Sequence, residues 1–346
     1  MLMRFPYMSW STSIRKHTVF HERGMTMKKL VTLSLVIALL LTCSSALAAK
    51  KFTFSHVFAT DHPVHIALTE ANDMLKELSG GEMELEIFPN GTFATYNDAI
   101  TNVQMGGLDF ACLDSAADWL PKAGVLLGPY VFRSYDHFEN FKKADFYDDL
   151  KAEIGEAVGV HQFDHYTFGF RHLTANKEIR GLDDFKGLVL RCVDFPPYSE
   201  LQTIFDVNIT AIPIGDVYMA LQTGVADLEE NPVTQIVTMK FYEVQKYLML
   251  TGHMLAVSGT VMNLDTWNSL TPEEQDILDQ VFTFEANRID ELVRQNEEAL
   301  ITECEANGMT IIRDVDTTPY QERVPLVLEK YPDWVELYNQ IQALEG

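Results

Sequence analysis

Lys51-Phe-Thr-Phe-Ser-His-Val-Phe58 alternates apolar and polar side chains, the period of a half-buried strand. Pro63 then opens an amphipathic stretch that runs to about Leu78 and is closed by Gly80-Gly81, the punctuation of a helix. Met83-Glu-Leu-Glu-Ile-Phe88 alternates again, Tyr96 to Met105 reads as a second helix stopped at Gly106-Gly107, and Leu108-Asp-Phe-Ala-Cys-Leu113 reads as a third strand. Strands separated by single helices argue for βαβ units and a mostly parallel sheet.

The same grammar continues downstream. A helical stretch at 136–157 precedes strands at Val158–Gln162 and Thr167–Leu173, then a short helix at Leu182-Asp-Asp-Phe185. Leu188-Val-Leu-Arg-Cys-Val193 is an apolar strand with a charge inside it. Pro196 to Phe205 is read as a helix, 208–212 as a strand and Gly215 to Thr223 as a helix closed by Gly224, and a further helix begins at Pro232. Thr271-Pro-Glu-Glu274 is a capping signal, and no helix breaker follows it until Asn307-Gly308. A helix of that length spans ~54 Å, more than one small domain, and is expected to run as a spine along two lobes.

The N-terminus is expected to lie outside the fold. Lys28-Lys29, the apolar run Leu30 to Leu41 and Ala46-Leu47-Ala48 have the order of a secretory signal peptide cleaved near Ala48. The natural start is expected at Met27 or Met25, and Thr42 before Cys43 is a poor fit to a lipoprotein anchor. The apolar run is shorter than the ~20 residues a spanning helix needs. Without the six basic and one acidic residues of segment 1–48, the chain keeps 20 basic and 49 acidic residues, a net charge of −29. That surface repels phosphate backbones and anionic lipid, which argues against nucleic-acid binding and stable membrane insertion. Any site for an anion must therefore carry its own cations. Three cysteines remain, Cys112, Cys192 and Cys304, and Cys112 and Cys192 sit in apolar strand-like runs as buried small hydrophobes. His56, Asp61, His62 and His65 lack the spacing of a helical metal site and are read as structural, with no metal or other cofactor expected.

Arg191 is the informative cation, because a guanidinium in an apolar strand costs several kcal/mol unless paired. Its planar fork fits a carboxylate bidentately. The residues alone leave two partners open: a ligand carboxylate, or a protein one such as Asp114 or Asp194.

Gly169-Phe-Arg-His172 and Leu182-Asp-Asp-Phe-Lys-Gly-Leu-Val-Leu-Arg191 resemble the central signature of the TRAP transporter solute-binding proteins of the DctP type. So do Val217-Tyr-Met-Ala-Leu-Gln-Thr-Gly-Val-Ala-Asp227, Glu229-Glu-Asn-Pro232 and Lys240-Phe-Tyr-Glu-Val-Gln-Lys-Tyr247, with Pro129-Tyr-Val-Phe-Arg-Ser134 earlier in the chain. The resemblance implies an α/β, two-lobe periplasmic binding protein fold (type II-like) with hinge strands and a long spine helix. One lobe would be 49–168 plus 257–296 and the other 169–256 plus 297–346. It implies that Arg191 clamps a ligand carboxylate, with Arg171 as second ligand arginine and Asn231 from the E-N-P motif. Further pocket positions carry over to His56, Tyr96, Asp114, Asp194, Phe195, Ile214 and Tyr218. Leu228, Gly215, Cys192 and Ile214 depart from the family's usual residues, which bears on which ligand is bound.

The bland readings stand beside these. Arg171 is read alternatively as an exposed strand-end charge, Asn231 as an N-cap, and the aromatic residues as core. The expected function is a non-enzymatic, periplasmic, monomeric protein that takes an organic acid, sugar acid or amino-acid-like carboxylate and docks on TRAP transporter membrane subunits. An exported enzyme acting on a small acid is the alternative, as is an ABC-type binding protein or sensor. No G-x-S-x-G, H-E-x-x-H or P-loop motif occurs.

Overall fold

A computed structural model describes residues 49–193 and 195–345. The expected signal peptide and Asp194 lie outside the described residues. Strands β1 (Lys50–Ser55), β2 (Met83–Phe88) and β3 (Phe110–Leu113) are parallel neighbours, joined by helices Pro63–Leu78 and Tyr96–Gln104. The alternation read from the sequence becomes an inward aromatic face: Phe54 stacks on Phe110 with ring centroids 5.9 Å apart.

Six further strands complete one sheet: β4 (Val160–Ala175), β5 (Val189–Cys192), β6 (Asn208–Ala211), β7 (Leu228–Pro232), β8 (Tyr247–Asn263) and β9 (Thr310–Ile312). Their order is β2-β1-β3-β8-β4-β7-β5-β6, with β9 also paired to β8. The long strands β4 and β8 run antiparallel to one another. β3 pairs with the Gly259–Met262 end of β8, and β7 pairs with the Arg171–Ala175 end of β4. Two groups of parallel strands therefore hang on opposite flanks of one long antiparallel pair.

Several sequence boundaries change. The two strands expected between Val158 and Leu173 are one strand whose register shifts between Gln162 and His165, Thr167 and Phe170, and Arg171 and Leu173. Each shift breaks the apolar alternation. Gly169 lies at the middle shift with φ 120°, where a Cβ would meet the Pro232 side chain at 3.2 Å. The helical stretch 136–157 is two helices, Tyr135–Lys142 and Tyr147–Val158, and 196–205 is two short ones, Pro196–Ser199 and Leu201–Phe205. β8 has no period to read because most of it is buried on both faces.

The long helix is Pro272–Ala306, and both halves of its capping box form: Thr271 N donates to Glu274 Oε2 at 2.8 Å and Glu274 N to Thr271 Oγ1 at 3.3 Å. Its 35 residues reach ~52 Å. Leu278, Val281, Phe282, Ile289 and Val293 pack with Phe54, Phe110 and Tyr166. Ile301 and Cys304, near its end, pack in a separate cluster with Val217, Leu221 and Phe241. One helix thus supplies two cores. Cys112, Cys192 and Cys304 are all buried.

The C-terminal segment crosses the molecule. Trp334 is buried against Gly124 and Gly128, where a Cβ on Gly124 would sit 2.9 Å from the indole, and Trp334 Nε1 donates to Pro121 O at 2.9 Å. His137 Nε2 lies 2.8 Å from Ile341 O. From the same segment Lys330 Nζ donates to Glu200 Oε2 at 2.7 Å, Tyr331 to Glu200 Oε1 at 3.0 Å and Arg323 Nη1 to Thr203 O at 3.0 Å.

Glu285, on the long helix, is fully buried beneath β8. Its Oε2 accepts from Thr260 Oγ1 at 2.8 Å, and its Oε1 has no partner. Burial raises its pKa from 4.5 to about 8. The folded state thus holds the proton more tightly than the unfolded state, so this residue's contribution to stability is complete below pH 4.5 and is lost as pH rises toward 8. Glu285→Gln keeps the shape and removes the titration. Thermal unfolding at pH 8 should show a higher Tm for the variant, roughly 2–4 °C for each kcal/mol recovered, with little difference at pH 4. Equal Tm values at both pH values would refute a buried neutral acid.

Candidate functional site

The carboxyl ends of β1, β3, β5 and β7 carry the polar residues singled out from the sequence, as open α/β sheets place ligand crevices beyond those ends. Arg191 lies on β5 between buried Leu190 and Cys192, in register with Glu229 of β7. Its Nε and Nη2 both donate to the Ile212 carbonyl, at 2.8 and 2.6 Å. Its Nη1 is buried with no hydrogen-bond partner. Among the described residues no carboxylate bonds to it. Burial therefore lowers its pKa, against the pull of Glu230 and Glu229.

Arg171, on β4, is paired. Nε and Nη2 grip Glu230 Oε2 and Oε1 at 2.5 and 2.8 Å, Nη2 also donates to Glu230 O at 2.6 Å and Asn231 Oδ1 at 2.9 Å, and the guanidinium lies 4.8 Å over the Tyr198 ring. Arg171 is 2% exposed, so the exposed strand-end reading is wrong. Burial pushes the Glu230 carboxyl up, but Arg171 overrides it and holds the pKa below the ordinary value. Behind it, His253 Nε2 donates to Glu230 Oε2 at 3.3 Å, and His253 Nδ1 lies 2.8 Å from Thr251 Oγ1.

Asn231 joins the two acids: Oδ1 accepts from Arg171 and Nδ2 donates to Glu229 Oε2 at 2.6 Å. Its side chain is spent there, and helix Val233–Thr238 is capped at Pro232 without a side-chain bond, so the N-cap reading fails. Glu229 accepts from Thr174 Oγ1 at 2.9 Å and touches no cation, and burial raises its pKa to about 7.

Asp114 follows β3. Its backbone N–H donates to the Tyr96 hydroxyl, and its Oδ1 is buried without a partner. Burial raises its pKa to about 6, with Ser258 and Arg171 pulling the other way. Tyr96 stacks on Phe195 at 6.0 Å, and Phe195 meets Tyr198 edge-on at 4.9 Å. A continuous wall runs from Asp114 through Tyr96, Phe195 and Tyr198 to Arg171.

The remaining positions sit apart from this wall. His56 is buried, with Nδ1 accepting from Phe58 N at 3.2 Å and Nε2 3.0 Å from His65 Nδ1, and burial lowers its pKa to about 3. His62 caps the helix Pro63–Leu78. Tyr218 donates to Glu243 Oε2 at 2.7 Å, and it packs with Ile214 against the Val217 cluster. No hydrogen bond or ring contact among the described residues joins Ile214 or Tyr218 to either arginine.

Glu229, Glu230, Tyr198 and His253 were not singled out as site residues. Two adjacent acids in a strand flanked by Leu228 and Pro232 are a signal for a buried cation, and they answer Arg171. Of the two protein partners left open for Arg191, Asp114 does not bond to it and Asp194 lies outside the described residues; the buried ion pair found here is Arg171 with Glu230.

This topology and the long helix are those of the two-lobe α/β binding-protein fold. A TRAP periplasmic solute-binding protein from Pseudomonas putida F1 with bound D-glucuronate superposes with a TM-score of 0.81 at 24% identity, covering 86% of this chain and 98% of that one. The chain belongs to the DctP family, bacterial extracellular solute-binding protein family 7, whose sequence profile matches residues 54–333. Among similar relatives, the 2,3-diketo-L-gulonate-binding periplasmic protein of Escherichia coli is 30% identical over 84% of this chain and 90% of its own length. The sialic acid-binding periplasmic protein of Vibrio cholerae is 28% identical over 74% of this chain and 81% of its own. Among the described residues no helix is long and apolar enough to cross a membrane.

Glu230→Gln would leave the Arg171 guanidinium buried beside a neutral group. Urea unfolding should show a loss of about 3 kcal/mol. A loss below about 1 kcal/mol would mean that the pair is not the strut described.

Proposed function

We propose that the chain captures a small organic carboxylate between two lobes and that Arg191 is the residue that grips it. The carrying observation is Arg191 Nη1: a buried, cationic N–H with no partner, on a guanidinium whose only described acceptor is one neutral carbonyl. A ligand carboxylate supplies the missing charge and acceptor, in the charge-assisted geometry a guanidinium favours. Arg171 and Asn231 take a supporting role in this reading. Their mutual bonds and the Glu230 pair hold the floor of the site, and Arg171 contributes positive potential. Asp114 Oδ1 also lacks a partner; an amino or hydroxyl group on the ligand fits it, as in an amino-acid-like or sugar acid. Tyr96 and Phe195 offer an aromatic surface for the ligand's body. The ligands named for the Pseudomonas, Escherichia and Vibrio relatives, all carbohydrate-derived acids, support the class.

The lobes in this reading are 49–168 plus 257–296 and 169–256 plus 297–346, crossing at β4, β8 and the long helix. The two cores along that helix fit the division, and a third core bridges it, joining Val103 and Phe138 of one lobe to Leu190 and Trp334 of the other. Ligand is held without turnover, and the protein works as an exported monomer that delivers it to TRAP membrane subunits. The buried thiols favour binding over chemistry, since burial raises Cys112 and Cys304 far above a reactive range.

The test is calorimetric titration with uronates, aldonates, keto acids, dicarboxylates and amino acids, with Arg191→Ala in parallel. One class should bind, Arg191→Ala should weaken it at least about thirtyfold, and the ligand should be recovered unchanged. Binding that survives the substitution would remove Arg191 from the site, and a converted ligand would establish an enzyme.

A further inference from the structure

One row of the sheet crosses four strands as Thr174, Glu229, Arg191 and Thr210, each opposite the next on β4, β7, β5 and β6. Side chains opposite one another on neighbouring strands share a face of the sheet, with backbones ~4.8 Å apart. Glu229 is therefore the acid built beside Arg191. Both residues are buried, at 0% and 1% exposure. Among the described residues neither enters an ion pair: Arg191 turns its bonded nitrogens to Ile212 O, and Glu229 takes the Thr174 hydroxyl and the Asn231 amide.

The surroundings of Glu229 suit both of its charge states. Oε2 accepts from Asn231 Nδ2 at 2.6 Å, and that amide is fixed because its Oδ1 accepts from Arg171 at 2.9 Å. Oε1 meets Thr174 Oγ1 at 2.9 Å, and a hydroxyl donates or accepts as its partner requires. A proton on Oε1 is thus accommodated by rotating one hydroxyl, with every heavy atom in place. Burial favours the neutral acid, as does Glu230, while Arg191 favours the anion. Arg171 on β4 also feels the Glu229 charge. Burial keeps His172 on β4 and His253 on β8 neutral, and the Cys304 thiol of the long helix is raised to about 12. Burial outweighs the arginines, and the acid sits at about 7.

With the crevice empty, an ionised Glu229 is the negative charge in register with Arg191. A carboxylate on Arg191 Nη1 brings a second one to the same guanidinium. Two buried anions beside one cation repel each other, and the acid that can bind a proton does so. Resting on the reading of Arg191 given above, we propose that Glu229 is a positioning residue of that site and takes up a proton from solvent as a carboxylate settles on Arg191. The pocket then holds one positive and one negative charge both before and after capture. The pKa of Glu229 is higher with ligand than without, so affinity is flat below its free value. It weakens as pH rises through that value, until the bound value is passed.

The probes are D-glucuronate, 2,3-diketo-L-gulonate and sialic acid, titrated calorimetrically into the purified protein at pH 6 and pH 8.5. The Kd of a bound acid should rise about tenfold between the two, as a pKa raised by roughly one unit on binding requires. At pH 7.5, titrations in phosphate and in Tris, whose ionisation heats differ, should show uptake of about half a proton per ligand. Glu229→Gln keeps both bonds, with its amide nitrogen donating to Thr174 and its oxygen accepting from Asn231, and should bring the two Kd values together. Should that variant fail to fold, the proton count on the unaltered protein decides. Equal Kd values without proton uptake, or a pH dependence that persists in Glu229→Gln, would overturn this inference alone, provided Arg191→Ala still abolishes binding. Binding that survives Arg191→Ala, or no binding of any of the three acids at pH 6, would remove the reading of Arg191 and this inference with it.

Discussion

Two guanidiniums are buried in one sheet, and the described structure completes only one of them. A buried guanidinium without a counter-charge is costly, so the arrangement of neighbouring strands must answer each. Glu230 answers Arg171, and Asn231 ties that pair to Glu229. This requires β7 to lie beside β4 in the register that sets Arg171 opposite Pro232 and Leu173 opposite Glu230. It also requires Gly169, since the shift just before Arg171 passes through a backbone angle that glycine adopts freely. Arg191 meets the carbonyl of Ile212 and, among the described residues, nothing anionic. The two similar side chains thus differ: one is held in a structural ion pair, and the other has, among the described residues, only a neutral acceptor.

The electrostatic balance of the region follows from the same asymmetry. Glu229, Asp114 and Glu285 are buried acids that, among the described residues, form no salt bridge, and burial moves all three upward, to about 7, 6 and 8. The chain therefore keeps much of its interior acid near neutrality while its surface is strongly negative. Within that interior Arg191 is a cation to which, among the described residues, no carboxylate bonds.

Much of the fold was legible in the residues. The βαβ rhythm from Lys51 to Leu113, the capping box at Thr271 and the absence of breakers before Asn307 placed the first strands and the long helix to within three residues at each end. β8 was invisible because a strand buried on both faces has no alternation to read, and β4 appeared as two strands because its register shifts interrupt the period. At the site, Arg191 was conspicuous as a charge in an apolar strand, and Arg171 and Asn231 entered only through resemblance to a family. Glu230 was in plain view in Glu229-Glu-Asn-Pro232, but its partner is 59 residues away in sequence. Pairing over that distance depends on strand order, which local patterns do not encode.

Trp334 fills a space that Gly124 and Gly128 leave open, and His137 reaches the carbonyl of Ile341, more than two hundred residues later. The middle of the chain therefore waits for its end. Residues 121–141 are synthesised long before Trp334, which covers Gly124 and Gly128. Contacts of such separation are slow to form. That part of the core is closed only when the C-terminal segment is in place.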